Sequence, residues 1–204
     1  MTDRTHVTLV CDRSGSMATI RDDAQGGVRT FIKALKAANT TLTLVQFDDQ
    51  YELLWQGEMV GLPDYELIPR GSTALLDAVG RAMAETGEYL AKIPEDQRPG
   101  KVVFCVQTDG QENASHDWTI EKIRAKVDEQ TSTYKWEFVF LGAGLAAFQG
   151  QAMGFKNVTS NTPTGRGTAA VYNVAAAAVM SYASNSSDTA TLSMPKTVDE
   201  EDDK

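Results

Sequence analysis

The 204-residue chain carries 28 acidic against 19 basic side chains, a formal net charge of −9, with 42% hydrophobic and 23% charged residues. That size and balance suit one globular domain with a real core. An acidic chain without a Lys/Arg cluster argues against nucleic acid and against anionic membranes as partners. Residues 1–6 are polar, the first apolar run is too short for a signal core, and no stretch approaches the ~20 apolar residues of a membrane span. Cys11 and Cys105 both fall in apolar runs, where buried free thiols are expected rather than a disulfide. A monomer in a reducing, cytoplasmic setting is the resulting expectation.

Taken in chain order, Thr5 to Cys11 reads as a buried strand and Ala18 to Ala38 as a helix, with Ile20, Val28, Phe31, Ile32 and Leu35 on one stripe. Thr40 to Phe47 and Tyr51 to Trp55 form a hairpin, with Asp48-Asp49 read as its turn and no more. Gly57 to Ser72 is a Pro/Gly-rich loop. A helix runs from Thr73 or Ala74 to Lys92, followed by a break over Pro94 to Gly100. Lys101 to Gln107 is a continuous apolar run, as in a strand covered on both faces. Asp117 to Gln130 is helical, Trp136 to Leu141 a strand, Leu145 to Met153 a short helix, Phe155 to Val158 a short strand and Thr168 to Ala183 an alanine-rich helix. The domain is set at 1–184 and the remainder, 185–204, at a polar, acidic tail ending in Asp199-Glu200-Glu201-Asp202-Asp203-Lys204 and expected to be flexible.

Repeated strand–helix alternation predicts an α/β fold: a doubly wound, mostly parallel sheet with one antiparallel edge strand and helices on both faces. Ligands of such sheets bind outside the carboxyl ends of the strands. Asp12-Arg13-Ser14-Gly15-Ser16 follows the first strand and Gln107-Thr108-Asp109-Gly110 the fourth, and Pro69-Arg70-Gly71-Ser72-Thr73 precedes a helix. Asp12, Ser14, Ser16, Thr73 and Asp109 are therefore a candidate oxygen-only metal site, suited to Mg²⁺ and also to Mn²⁺ or Ca²⁺. Asp77, Glu112, Asn113 and Arg70 are given lesser places: Asp77 in supporting hydrogen bonds, Glu112 and Asn113 on the rim, and Arg70 and His116 in solvent.

On these motifs the chain resembles the von Willebrand factor A-type domains, the fold of the integrin inserted domain, over roughly residues 5–184. The resemblance implies that the hydroxyls of Ser14, Ser16 and Thr73 touch a divalent ion, that Asp12 and Asp109 act directly or through water, and that no catalysis is involved. It further implies an open coordination position that captures an Asp or Glu of a protein partner, and in several relatives a linked movement of the last helix. Two other readings compete. Gly142-Ala143-Gly144-Leu145-Ala146-Ala147 matches a dinucleotide fingerprint, but no Asp or Glu lies between Glu137 and Asp188 to hold a ribose. A Mg²⁺-dependent phosphatase using Asp12 is the enzyme alternative, weakened by Ser14 where a second aspartate is wanted. The acidic tail is read first as a solubility tail, and as the alternative Asp199 to Asp203 reach the open coordination position and inhibit it.

Overall fold

The computed structural model describes residues 2–162, 164–185, 187 and 190–198. Strand β1 (Thr2–Asp12) is followed by a 3₁₀ segment (Gly15–Ile20) and α1 (Arg21–Lys36). Next come β2 (Thr40–Phe47), β3 (Tyr51–Gly57), α2 (Leu75–Lys92), β4 (Pro99–Thr108) and α3 (Ile120–Tyr134). The chain continues through β5 (Glu137–Ala143), α4 (Ala147–Ala152), β6 (Asn157–Asn161), α5 (Gly165–Ser184) and β7 (Thr197–Val198).

The seven strands form one sheet in the order β3-β2-β1-β4-β5-β6-β7, parallel throughout except for β3, which runs antiparallel to β2 at one edge. This is the expected doubly wound architecture. Its order reverses between β1 and β4, where the crevice of such a sheet lies. Alternation along β1 separates two cores. Val7, Leu9 and Cys11 join the α1 and α5 face, and Val10 joins the face covered by α2 and α3. Gly27 of α1 leaves room for Tyr172 of α5, since a β-carbon at Gly27 would lie 2.3 Å from the Tyr172 ring.

Three elements differ from the sequence reading. The first expected helix splits into a 3₁₀ segment and α1, because Met17 and Ile20 must turn inward immediately after the Asp12 loop. The short strand after α4 lies at Asn157–Asn161, a few residues later than expected. Residues 190–198, placed within a flexible tail, instead pack back: Leu192 is buried, Ala190, Met194 and Val198 lie against the core, and Thr197–Val198 pair with β6. The acidic block at 199–204 lies outside the described residues. Both cysteines are buried and free, and burial pushes the Cys11 thiol up to about 12. Among the described residues, no helix is long and apolar enough to cross a membrane.

Candidate functional site

The register of the sheet brings the candidate residues together. Cys11 pairs with Gln107, so Asp12 and Thr108 end adjacent strands side by side. Asp12 is fully buried there. It accepts the Ser14 N–H on Oδ1 at 2.6 Å and the Thr108 hydroxyl on Oδ2 at 2.5 Å. Ser14 Oγ lies 3.2 Å from Ser16 Oγ, and Ser16 Oγ donates to Asp109 Oδ1 at 2.6 Å. Thr73 arrives from the loop before α2. A β-carbon placed on Gly110 would stand 2.9 Å from Thr73 Oγ1, 3.3 Å from Asp12 Oδ2 and 3.4 Å from Ser14 Oγ. Those three oxygens thus converge on one small volume beside Gly110, and any side chain at that position would fill it.

Burial is graded across the cluster. Asp12, Ser14 and Thr73 form a buried floor, whereas Ser16 is exposed and Asp109 half-buried at the mouth. Burial pushes the Asp12 carboxyl up to about 6, against the lowering effect of the Thr108 hydroxyl and the Ser14 N–H, and the Asp109 charge adds to the rise. Burial likewise raises Asp109 above its ordinary value, opposed by Ser16. Two carboxylates held in partly dry surroundings favour a positive charge between them. The donor set is oxygen only, with two carboxylates and three hydroxyls, which is the chemistry that hard divalent cations take. Among the described residues no group of three or more His, Cys, Asp or Glu side chains is placed to hold a metal. The residues present fit a small hard cation.

Around this floor lies a scaffold that the sequence reading mostly missed. Asp48, read as a turn residue, is fully buried; it accepts Arg13 Nε at 2.9 Å and Arg70 Nε at 2.6 Å, and also the Gln50 N–H at 2.6 Å. Burial would raise its carboxyl, but the Arg70 and Gln50 hydrogen bonds and the Arg13 charge hold it below its ordinary value. Arg70 keeps the exposed position expected of it while its guanidinium is tied to Asp48, and it also reaches Gln50 Oε1 at 3.0 Å. The backbone follows the same joints: Arg70 N–H donates to Arg13 C=O at 2.8 Å, Gly15 N–H to Gly71 C=O at 3.2 Å and Ala74 N–H to Asp48 C=O at 2.9 Å. Asp48 therefore fixes the Asp12–Ser16 loop and the Thr73 loop relative to each other. The Asp-Asp pair gives the signal of a turn, and nothing in its local sequence reveals the two distant arginines.

The loop after β4 is held just as closely. Asp77 accepts the backbone N–H groups of His116, Asp117 and Trp118 at 2.8, 2.9 and 2.8 Å, the supporting role expected of it. Glu112 is expected on the rim. Its carboxylate instead accepts Leu76 N–H in the first turn of α2 at 2.9 Å, together with Ala114 N–H at 2.9 Å and Ser115 N–H at 2.8 Å. A carboxylate at a helix N-terminus is favourable on charge as well as on hydrogen bonding. Asn113, also placed on the rim, accepts Thr73 N–H at 2.9 Å through Oδ1, while its own N–H donates to Thr73 C=O at 3.0 Å. Gln149 of α4 donates to Gly110 C=O at 2.9 Å and accepts Glu112 N–H at 2.6 Å. His116 contributes its backbone and keeps an exposed position.

The glycine-rich run after β5 serves a tight strand-to-helix turn. A β-carbon on Gly142 would lie 2.6 Å from Ala147 N, and Gly144 takes a left-handed φ of +54°. The following helix, Ala147–Ala152, is six residues long.

No protein-family model matches the sequence, and no curated protein does. Solved structures are similar to it. One is the vWF domain of the type V pili tip protein Mfa5 from Porphyromonas gingivalis, at 10% identity and a TM-score of 0.67, covering 93% of this chain and 99% of that one. Another is a von Willebrand factor type A structure from Catenulispora acidiphila, at 14% identity and a TM-score of 0.62, covering 87% of this chain and 43% of that one. A third is proximal thread matrix protein 1 from the mussel byssus with a zinc-occupied MIDAS motif, at 16% identity and a TM-score of 0.59, covering 87% of this chain and 46% of that one. The chain spans less than half the length of the latter two. At such identities the likeness is one of architecture, and the architecture is that of the Rossmann-like von Willebrand factor A-type fold.

Proposed function

We propose that this chain is a divalent-metal-dependent protein–protein interaction module without catalytic activity. In this reading Asp12, Ser14, Ser16, Thr73 and Asp109 hold Mg²⁺, with Mn²⁺ or Ca²⁺ as substitutes. The observation that carries it is the convergence of Thr73, Asp12 and Ser14 oxygens beside Gly110, with Ser16 and Asp109 joined at 2.6 Å across the solvent side. Three of the five donors are neutral, so the ion's charge is only just balanced by its two carboxylates. It stays electrophilic toward a further anion. The outward side of the cluster is where a carboxylate from a partner protein would complete the coordination. The mussel protein with a zinc-occupied MIDAS motif, similar in fold, supports reading a divalent ion here. Two free buried thiols support a cytoplasmic setting.

The phosphatase alternative is disfavoured by geometry. Asp12 Oδ2 faces a volume shared with the hydroxyls of Thr73 and Ser14, and Ser14 stands where that chemistry wants a second aspartate.

The test is thermal unfolding with Mg²⁺ against EDTA. A ligand that binds only the folded chain stabilises it by about 2.7 kcal/mol at a hundredfold excess over Kd. For a domain of this size that is a rise in Tm of several degrees. Wild type is expected to show the rise, while Asp12→Ala and Thr73→Ala keep the fold and lose the rise. A Thr73→Ala protein that responds to Mg²⁺ as wild type does removes the metal reading.

A further inference from the structure

Two large apolar side chains stand in water beside the cluster. Leu145 and Phe148 are 66% and 64% exposed, on the turn that joins β5 to α4. Three positions apart on consecutive helical turns, they share one side of the chain. The turn is held against the loop that carries Asp109. Gln149, the residue after Phe148, donates to Gly110 C=O at 2.9 Å and accepts Glu112 N–H at 2.6 Å. Thr108 pairs with Gly142 in the sheet, so the turn starts one strand spacing, about 5 Å, from the end of β4. Single exposed apolar residues are ordinary, but a neighbouring leucine and phenylalanine at the edge of a candidate site are the makings of a contact surface.

Charge around the cluster is uneven. Exposed carboxylates flank it on three sides: Asp22 and Asp23 in the first turn of α1, Asp49 in the turn after β2, and Asp117 in the loop between β4 and α3. The β5–α4 side differs, since no charged residue occurs from Phe138 to Phe155. An acidic run in a partner is repelled by those flanks and by the net charge of −9. A single carboxylate brought in over Leu145 and Phe148 avoids the flanks.

We infer that Leu145 and Phe148 form the apolar half of the partner site, and that the partner is a protein segment with one Asp or Glu and an aromatic or branched aliphatic residue two or three positions from it. This rests on the metal reading of Asp12, Ser14, Ser16, Thr73 and Asp109. The spacing follows from reach: two to three residues of extended chain cover about 7–10 Å, enough to cross one strand spacing and rise over the turn. The carboxylate supplies the bond to the metal, and the apolar neighbour decides which carboxylate is kept.

The probes are four blocked pentapeptides titrated into the full chain in Mg²⁺, with affinity read from backbone NMR shifts: Phe-Gly-Asp-Gly-Phe, Ala-Gly-Asp-Gly-Ala, Phe-Gly-Asn-Gly-Phe and Asp-Gly-Asp-Gly-Asp. Wild type is expected to hold the first on the order of tenfold more tightly than the other three, the discrimination that partial burial of one aromatic ring supplies. Changing Leu145→Ser and Phe148→Ser together, at exposed positions, is expected to erase the preference over the alanine peptide while the response to Mg²⁺ in thermal unfolding stays. A preference that survives in this variant overturns the proposal. So does equal affinity of wild type for the three Asp peptides, or no binding of the first at millimolar concentration. An asparagine peptide held as tightly as the aspartate one also overturns it, because the apolar pair would then act without the metal. A wild-type dimer in Mg²⁺ that the two serines dissociate overturns it as well, since the pair would then cover a second copy. Thr73→Ala separates the two levels of the argument. If Mg²⁺ stabilises it as it does wild type, the metal reading itself has failed; if that response is lost while wild type does not discriminate among the peptides, only the apolar half is removed.

Discussion

His6 shows how a single buried side chain sets a pH limit on this fold. It lies fully buried in β1 with Nδ1 2.8 Å from Thr41 Oγ1 and Nε2 3.1 Å from Thr43 Oγ1. Burial depresses the ring to about 3, so the native imidazole stays neutral where the unfolded chain, near its ordinary value of about 6.5, takes up a proton. Its contribution is therefore whole above about pH 6.5 and drains away as the pH falls toward 3. The urea midpoint of wild type is expected to fall between pH 6.5 and 4.5, with a shallower fall in His6→Gln; parallel curves would count against this account. Asp12 works in the opposite sense: its carboxyl, raised to about 6, relieves a burial cost as it protonates, so the comparison with His6→Gln is what isolates the histidine. At this scale the five candidate residues stood out because each lies within three residues of a glycine, at a strand end or ahead of a helix. Asp48, Arg13 and Thr108 did not, because their meaning depends on partners far away in the sequence: Arg13 and Arg70 for Asp48, and Asp12, 96 positions away, for Thr108.

Among the elements, α5 carries the clearest expectation. The family resemblance implies that the last helix moves when the metal site engages a ligand. Here the last turn of that helix is held to β4, and its first turn carries a local cap. Thr164 accepts Gly167 N–H at 3.1 Å at the start. At the other end the Lys101 ammonium donates to the carbonyls of Tyr182 at 2.8 Å and of Asn185, and lies 5.0 Å from the Tyr182 ring centroid. A cation on the last carbonyls of a helix satisfies otherwise orphaned acceptors and complements the dipole. Hydrogen exchange over 165–184 is expected to be the same with and without Mg²⁺ in wild type, and to quicken over its last turn in Lys101→Met. Loss of protection along α5 on adding an acidic peptide to the Mg²⁺-loaded protein would restore the moving-helix picture. The helices and the long strands could be read from periodicity because each buries a full stripe or run. The break between the 3₁₀ segment and α1 could not, since Met17 and Ile20 keep an apolar spacing that suits either conformation.

For the molecule as a whole, strand alternation was enough to give the doubly wound sheet and to bring the candidate residues to its carboxyl edge. It gave no hint of β7: two residues, Thr197 and Val198, in a polar stretch have too little pattern to declare a strand. Their position is settled by the burial of Leu192 and by pairing with β6. The loop after β4 has a further consequence. Asp77, Glu112, Asn113 and Gln149 hold its backbone through hydrogen bonds that need no ion. Under the proposed metal reading, those bonds hold the loop without calling on the ion. The speed of loading then belongs to the ion's own chemistry: how readily it gives up its water shell, with Mg²⁺ the reluctant one. Rapid mixing with a metal-sensitive dye should show Ca²⁺ and Mn²⁺ entering faster than Mg²⁺, each at a rate proportional to its concentration. A slow phase shared by all three ions would instead point to a protein rearrangement as the gate.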